Sequence, residues 1–311
     1  MSSALVRQVA LISDSKKVSR KDVMRVSAAL QKHTTRDLGP VWDIKATVDA
    51  FETLEDVPLG YWPMIIRDDI DYDGAAGIHL DKDGQPFALV TASGDVDEWA
   101  LTACHENDEM LVDPFGDRLM AGDSPKPDQG RVLFLVEVCD PSEAAQFGYS
   151  VNGVLMSDFY TPRYFDPIAS NGVRYSFTDA ISEPRQVLPG GYLSWLDPET
   201  DDWWQETFFD GTESEFVNLG PLTIENGSFR SQIDRISGRA TQAAIAPGRS
   251  VAMAAGLRED VLDRSSAARA NSLRSQISQI VGSGTPGKSP PPVAAGESAR
   301  RRHPRHLRGS T

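Results

Sequence analysis

The run Thr102-Ala103-Cys104-His105-Glu106-Asn107-Asp108-Glu109-Met110-Leu111-Val112-Asp113-Pro114 holds the side chains best suited to chemistry in this chain. Read as a helix, it sets His105 and Glu109 on one face, because residues at i and i+4 lie one above the other. An imidazole and a carboxylate so placed could grip one cation. Glu106 then sits beside that ion, where it could take a proton from water.

Residues 95–117 carry Asp95, Asp97, Glu98, Glu106, Asp108, Glu109, Asp113 and Asp117 with no lysine or arginine. Like charges at i and i+4 cost a helix roughly a few tenths of a kcal/mol per pair. Such a run either faces water, the commoner outcome, or gathers around a cation. Trp99, Leu101, Met110, Leu111 and Val112 flank it, which disfavours a wholly exposed helix. The third ligand is expected from Glu137, at the end of an apolar run over 132–139, with Asp140 as the alternative beside it. Asp113 is a second alternative. Eight residues of helical rise place it roughly 12 Å from His105, so its expected part is to orient a ligand. Glu137 and Asp140 could equally pair with arginines or cap a turn.

The elements that must position these groups follow from periodicity. A short strand is expected over 9–12, then a helix capped by Ser19 and stopped by Gly39-Pro40, with Val23, Val26, Ala29 and Leu30 at helical spacing. Alternation over 42–51 predicts a half-buried strand, and 64–66 another. Residues 77–80 and 86–90 read as a hairpin around 81–84. The candidate metal helix follows over 97–112, capped by Asp95 or Asp97 and ended by Asp113-Pro114. Further strands are expected over 132–139, 149–156, 192–196 and 203–209.

Other candidates are weaker. Asp69-x-Asp71-x-Asp73-Gly74 matches the opening of a calcium loop, but Leu80 stands where its bidentate glutamate belongs. An Asp/Gly-rich turn explains it as well. His79, on the hairpin, could contact substrate or metal, or serve as a hydrogen-bonded structural residue. His33 supports no functional claim. Cys104 and Cys139 read as buried thiols near the site. Trp195, Trp203, Trp204, Phe208 and Phe209 could line a groove, though strand spacing favours core packing.

With 311 residues the chain can bury a substantial core, and its two cysteines exclude a disulfide scaffold. The net charge of −14 disfavours broad nucleic-acid binding. Residues 283–311 hold six basic residues against Glu297, a balance of +5 that leaves −19 for the rest. That basic tail could meet an acidic partner. No signal peptide or membrane-spanning run is visible, so the expectation is cytoplasmic, unless the protein leaves by another route. The expected organisation is one catalytic or pseudo-catalytic domain over 1–220, a partly helical appendage over 221–282 and a flexible Pro/Gly-rich, basic tail over 283–311.

HExxE, then Asp-Pro, then the acidic strand end Glu137-Val138-Cys139-Asp140 resembles the zincin-like metallopeptidases, and more closely their HExxE relatives in bacterial and plant proteins. The resemblance covers roughly residues 5–160. It implies an α/β fold, a mixed twisted sheet against helices, with an edge strand before the metal helix that holds substrate extended; residues 77–90 occupy that place. It implies that His105 and Glu109 ligate zinc and that Glu106 is the general base of a hydrolase acting on a peptide or protein substrate. Glutamate for the second histidine departs from the family pattern. One imidazole and two carboxylates cancel the ion's charge and also admit manganese or calcium. The competing expectation is a non-catalytic, metal-stabilised binding or assembly protein.

Overall fold

Residues Val9, Ala10, Leu11 and Ile12 are apolar on both faces of a strand and all 0% exposed, as a central parallel strand requires. This strand, β1 (Arg7–Ser13), pairs in parallel with β2 (Ala46–Ala50) on one side and β3 (Trp62–Arg67) on the other. Beyond β3 lies the hairpin of β4 (Gly77–Lys82) and β5 (Gln85–Thr91), turned by Asp83 and Gly84 at φ 54° and 77°, the signs a tight two-residue hairpin turn demands. The sheet order is β2-β1-β3-β5-β4, with β4 alone antiparallel and on the edge. This is a computed structural model, and it describes residues 6–71, 75–209 and 212–237, all inside one compact unit bounded at Met1–Leu273.

Helix α1 (Arg20–His33) starts at Ser19, whose side chain accepts from the Asp22 amide. Gly39-Pro40 does not stop the helical path as expected. The chain continues through a π-type turn (Thr34–Leu38) into α2 (Gly39–Trp42), where Pro40 sits in the first turn and its missing N–H leaves nothing unpaired. Asp43 at φ 53° ends it, so β2 begins at Ala46 instead of at 42.

Helix α3 (Val96–Val112) is capped by Asp95, which accepts from the Asp97 amide. Every residue from Trp99 to Val112 is buried, so α3 is a central helix and its acids do not face water. Its C-terminal carbonyls are satisfied from elsewhere in the chain: Arg118 Nη1 donates to Val112 O at 2.9 Å and Arg7 Nη1 to Leu111 O.

A second, all-antiparallel sheet has the order β12-β11-β10-β7-β6, built from β6 (Leu119–Asp123), β7 (Arg131–Leu135), β10 (Tyr192–Asp197), β11 (Asp202–Thr207) and β12 (Glu215–Gly220). The single strand expected over 149–156 is a hairpin, β8 (Tyr149–Val151) and β9 (Val154–Met156), turned at Asn152-Gly153. Strand β7 ends at Leu135, so Glu137 lies in the loop after it and not in the strand. Of the aromatic residues at the second sheet, Trp195 and Trp203 are core, at most 1% exposed, whereas Trp204, Phe208 and Phe209 are half-buried.

The last described helix, α4 (Phe229–Ser237), lies past the boundary read at residue 220 and packs on the second sheet. Phe229 packs on Trp203 with tilted rings whose centroids lie 4.7 Å apart, and Ile233 is buried with Leu135 and Trp203. The architecture is mixed α/β with several sheets and few helices. Among the described residues no helix is long and apolar enough to cross a membrane. The polar helix expected over 259–281 and the basic tail over 283–311 lie outside the described residues.

Candidate metal centre

Helix α3 supplies His105, Glu106 and Glu109, and the loop after β7 closes over them. In that loop Asp140–Ser142 forms a 3₁₀ turn, in which residues three apart share a face. Glu137, Asp140 and Glu143 are spaced by three, and all are buried toward the same centre. The turn is held against β10: a Cβ on Gly191 would lie 2.6 Å from Pro141 O and 2.7 Å from Asp140 O, so this contact needs glycine.

His105 Nε2 lies 3.1 Å from Glu109 Oε1 and 3.2 Å from Asp140 Oδ1. Donors about 2.1 Å from a tetrahedral zinc stand roughly 3.4 Å apart, so each of these two carboxylate oxygens is near ligand spacing from the imidazole. Glu109 is also fixed by the Cys139 amide, which donates to Oε1 at 3.1 Å. The neighbouring groups His105, Asp140, Glu143 and His79, Glu109, Glu137 each keep their donor atoms within 4.8 Å. Of the sequence candidates, the structure brings together His105, Glu109, Glu137 and Asp140, and it is Asp140 that stands next to His105. Glu137 Oε2 is taken by Arg230 Nη1 at 2.7 Å.

Asp113 is engaged elsewhere: its carboxylate accepts from the Asp117 and Arg118 amides at 3.2 and 2.9 Å. Its carbonyl accepts from His79 Nε2 at 3.1 Å, which turns His79 Nδ1 toward Glu106 Oε2 (3.6 Å) and Glu109 Oε2 (3.8 Å). At those distances the contacts are ionic and not hydrogen bonds. His79 therefore faces the centre. The expected docking of a substrate strand beside it is blocked in this state, because Gly77, Ile78 and His79 are buried. Glu106 lies against β4, and a Cβ on Gly77 would come within 2.6 Å of its Oε1.

The centre is closed, with no contributing side chain more than 5% exposed. It is also rich in unmet hydrogen-bonding capacity. Both carboxylate oxygens of Glu106 and of Glu143, Glu137 Oε1 and His79 Nδ1 are buried with no hydrogen-bond partner among the described residues. Burial pushes Glu137 and Glu143 well above the usual carboxylate range. It pushes Asp140 up to about 6 and Asp234 up to about 7, with Arg230 offsetting only part of the cost. Glu109 goes the other way. Burial works to raise it, but the charges of His105 and Arg230 hold it well below. Burial would lower His105, yet Glu109 and Asp140 raise its pKa well above the ordinary imidazole value.

No family model, curated protein or solved structure matches this chain. The assignment therefore rests on the geometry.

Three participants escaped the sequence reading. Arg230, on α4, is fully buried and donates from Nη1 to Glu109, Glu137 and Asp140, while its Nε donates to Asp234 at 2.9 Å. Its signal was local: Phe229, Ile233 and Ile236 at helical spacing, after Ser228, whose hydroxyl accepts from the Ser231 amide at 3.2 Å. Glu143 was visible as the third acid in a spacing of three. Asp234 follows Arg230 by one helical turn. His33 sits behind α3, where Nε2 meets Asp108 at 2.7 Å and Nδ1 meets Tyr149 Oη at 2.6 Å. In the calcium-loop match, Asp69 accepts from the Asp71 amide in a local turn and Leu80 lies in β4; residues 72–74 are outside the described set.

Proposed function

We propose that the chain is a metal-dependent hydrolase acting on peptide bonds, built on a zincin-like arrangement of edge strand and metal helix. The observation that carries this reading is the burial of His105, Glu106 and Glu109 on one fully enclosed helix, with Glu106 left without any hydrogen-bond partner. A buried carboxylate without a partner is costly, and structures that keep one generally use it. The donor set fits a divalent cation: one imidazole and several carboxylates converge, and more negative charge is present than Arg230 can balance.

His105 and Glu109 would hold the ion together with Asp140, and Glu137 would stand next in line. Zinc suits the imidazole, while the oxygen-rich remainder also suits manganese or calcium. When bound, the ion would polarise the scissile carbonyl and make water easier to deprotonate. Glu106 would take the proton from the attacking water and deliver it to the leaving amine as the C–N bond breaks, giving a free acid and a free amine. A cleft of about 260 Å³ at the start of α3, lined by residues including Ser93, Glu98, Trp99 and Thr102, reaches to one helical turn before Glu106. It is an opening from which a substrate could approach.

The closure of the centre favours a second reading, a metal-stabilised protein without turnover. The two separate on Glu106→Gln, assayed against a peptide library beside His105→Ala. In the enzyme, Glu106→Gln abolishes cleavage and keeps the metal. In the non-catalytic protein neither chain cleaves, and only His105→Ala lowers the melting temperature.

A further inference from the structure

Glu109 and Asp140 each divide their two oxygens between two partners. Glu109 Oε1 and Asp140 Oδ1 face His105 Nε2 at 3.1 and 3.2 Å. Glu109 Oε2 and Asp140 Oδ2 face Arg230 Nη1 at 3.2 and 3.0 Å. Two carboxylates thus bridge two neighbouring positive positions. Two-cation centres are built this way, with ions about 3.5–4 Å apart.

The position at Arg230 Nη1 has donors of its own. Glu137 Oε2 reaches it at 2.7 Å, so three carboxylates converge on one nitrogen. His79 Nδ1 is fully buried, has no hydrogen-bond partner, and lies 3.8 Å from Glu109 Oε2. Its ring is fixed from behind by the bond from Nε2 to Asp113 O, the outer-sphere support typical of a ligating histidine. An arginine salt bridge explains the carboxylates; His79 Nδ1 faces the same cluster, 3.6 Å from Glu106 Oε2 and 3.8 Å from Glu109 Oε2, beyond hydrogen-bond reach of either.

We propose that the position held by Arg230 Nη1 is a second divalent-cation position, formed by His79, Glu137 and the bridging Glu109 and Asp140. The Arg230 guanidinium is its resident substitute. With Arg230 in place the chain takes one ion, at His105; with Arg230 withdrawn it takes two, joined by the same carboxylates. This rests on the cation site proposed above and extends it. Helix α4 then delivers a charge that competes with metal, and Gly116 permits the approach: it has φ 61°, and a Cβ there would lie 2.8 Å from Arg230 Cβ.

The test compares the full chain with Arg230→Met, both stripped with chelator and equilibrated with Mn²⁺. Ions per chain are counted by elemental mass spectrometry, and electron paramagnetic resonance reports whether they interact. The expected result is about one magnetically isolated ion in the native chain and about two spin-coupled ions in Arg230→Met. Adding His79→Gln to that variant should return it to one isolated ion. A single isolated ion in Arg230→Met, as in the native chain, overturns the second position while leaving the first intact. No ion in either chain overturns both. If Arg230→Met does not fold, Arg230→Gln is stripped, equilibrated with Mn²⁺ and counted in the same way. About two spin-coupled ions support the position, and a single isolated ion overturns it.

Discussion

At the scale of single residues, the centre is defined by what its buried atoms lack. Among the described residues Glu106 has no hydrogen-bond partner at either oxygen, so a neutral isostere removes a buried charge and loses only the 3.6 Å ionic contact with His79. Glu106→Gln should therefore leave the melting temperature unchanged or higher, keep the metal, and cut peptide cleavage by roughly 10²–10⁴-fold, as loss of a general base does. Thermal unfolding and a cleavage assay on the same sample check it, and a clearly lowered melting temperature would show that Glu106 is structural. His33 behaves differently. Burial lowers its pKa, but Asp108 and Cys104 of α3 outweigh burial and raise it well above the ordinary value, with Tyr149 on the other ring nitrogen and Asp37 and Arg36 behind that tyrosine. Because the folded pKa is raised, the stabilisation is complete below about 6.5 and is lost as pH rises through the folded value. The stability difference between the native chain and His33→Gln should thus shrink from pH 6 to pH 9 in urea unfolding. A constant difference would mean that His33 stays neutral. At this scale the sequence exposed His105, Glu106 and Glu109 because i, i+4 spacing is local. It left the choice among Glu137, Asp140 and Asp113 open, because that choice depends on where β7 ends and how the chain turns after it.

At the scale of elements, the position of α3 depends on β4 having no side chain at Gly77. A Cβ there would sit 2.5 Å from Thr102 Cγ2 and 2.6 Å from Glu106 Oε1, so these side chains would have to shift. Gly77→Ala should destabilise the fold by about 1–3 kcal/mol, the usual cost of overpacking, and should disturb metal content as β4 and α3 separate. Denaturant midpoints measure the first effect; an unchanged midpoint would show that the strand has slack. Removing the cap with Asp95→Ala should cost about 1 kcal/mol and leave metal content alone, because the cap lies at the far end of the helix from Glu109. The strong periodic elements were legible: β1, α1, the β4–β5 hairpin and α3 all follow from apolar spacing and turn residues. The misses have physical causes. Gly39-Pro40 reads as a stop, but proline is tolerated in the first turn of a helix. Helix α4 is only Phe229–Ser237, and its polar residues are those it buries. Arg230 and Asp234 read from sequence as surface residues, and only the pairing across the fold makes them interior.

At the scale of the molecule, the fold encloses an excess of carboxylates between a parallel-type sheet, a central helix and an antiparallel sheet, and then closes it with an arginine. Such a centre is expensive without a cation. A divalent ion that binds only the folded chain stabilises it by about 2.7 kcal/mol at a hundredfold excess over its Kd. That corresponds to roughly 5–10 °C in melting temperature for a domain of this size. Chelator should remove the gain and added zinc or manganese restore it, as followed by differential scanning calorimetry. The structure places a charge pairing inside the domain, between Arg230 of α4 and Glu109 of α3, where composition alone could not show it.

The most direct measurement is the metal content of the chain, by elemental mass spectrometry on untagged protein beside His105→Ala. The account predicts about one tightly held divalent ion per native chain, absent from His105→Ala while the variant stays folded. No stoichiometric ion in the native chain, even after zinc and manganese are supplied, would contradict it. Helix α3 would then be a buried acidic element neutralised by Arg230 and by protons alone.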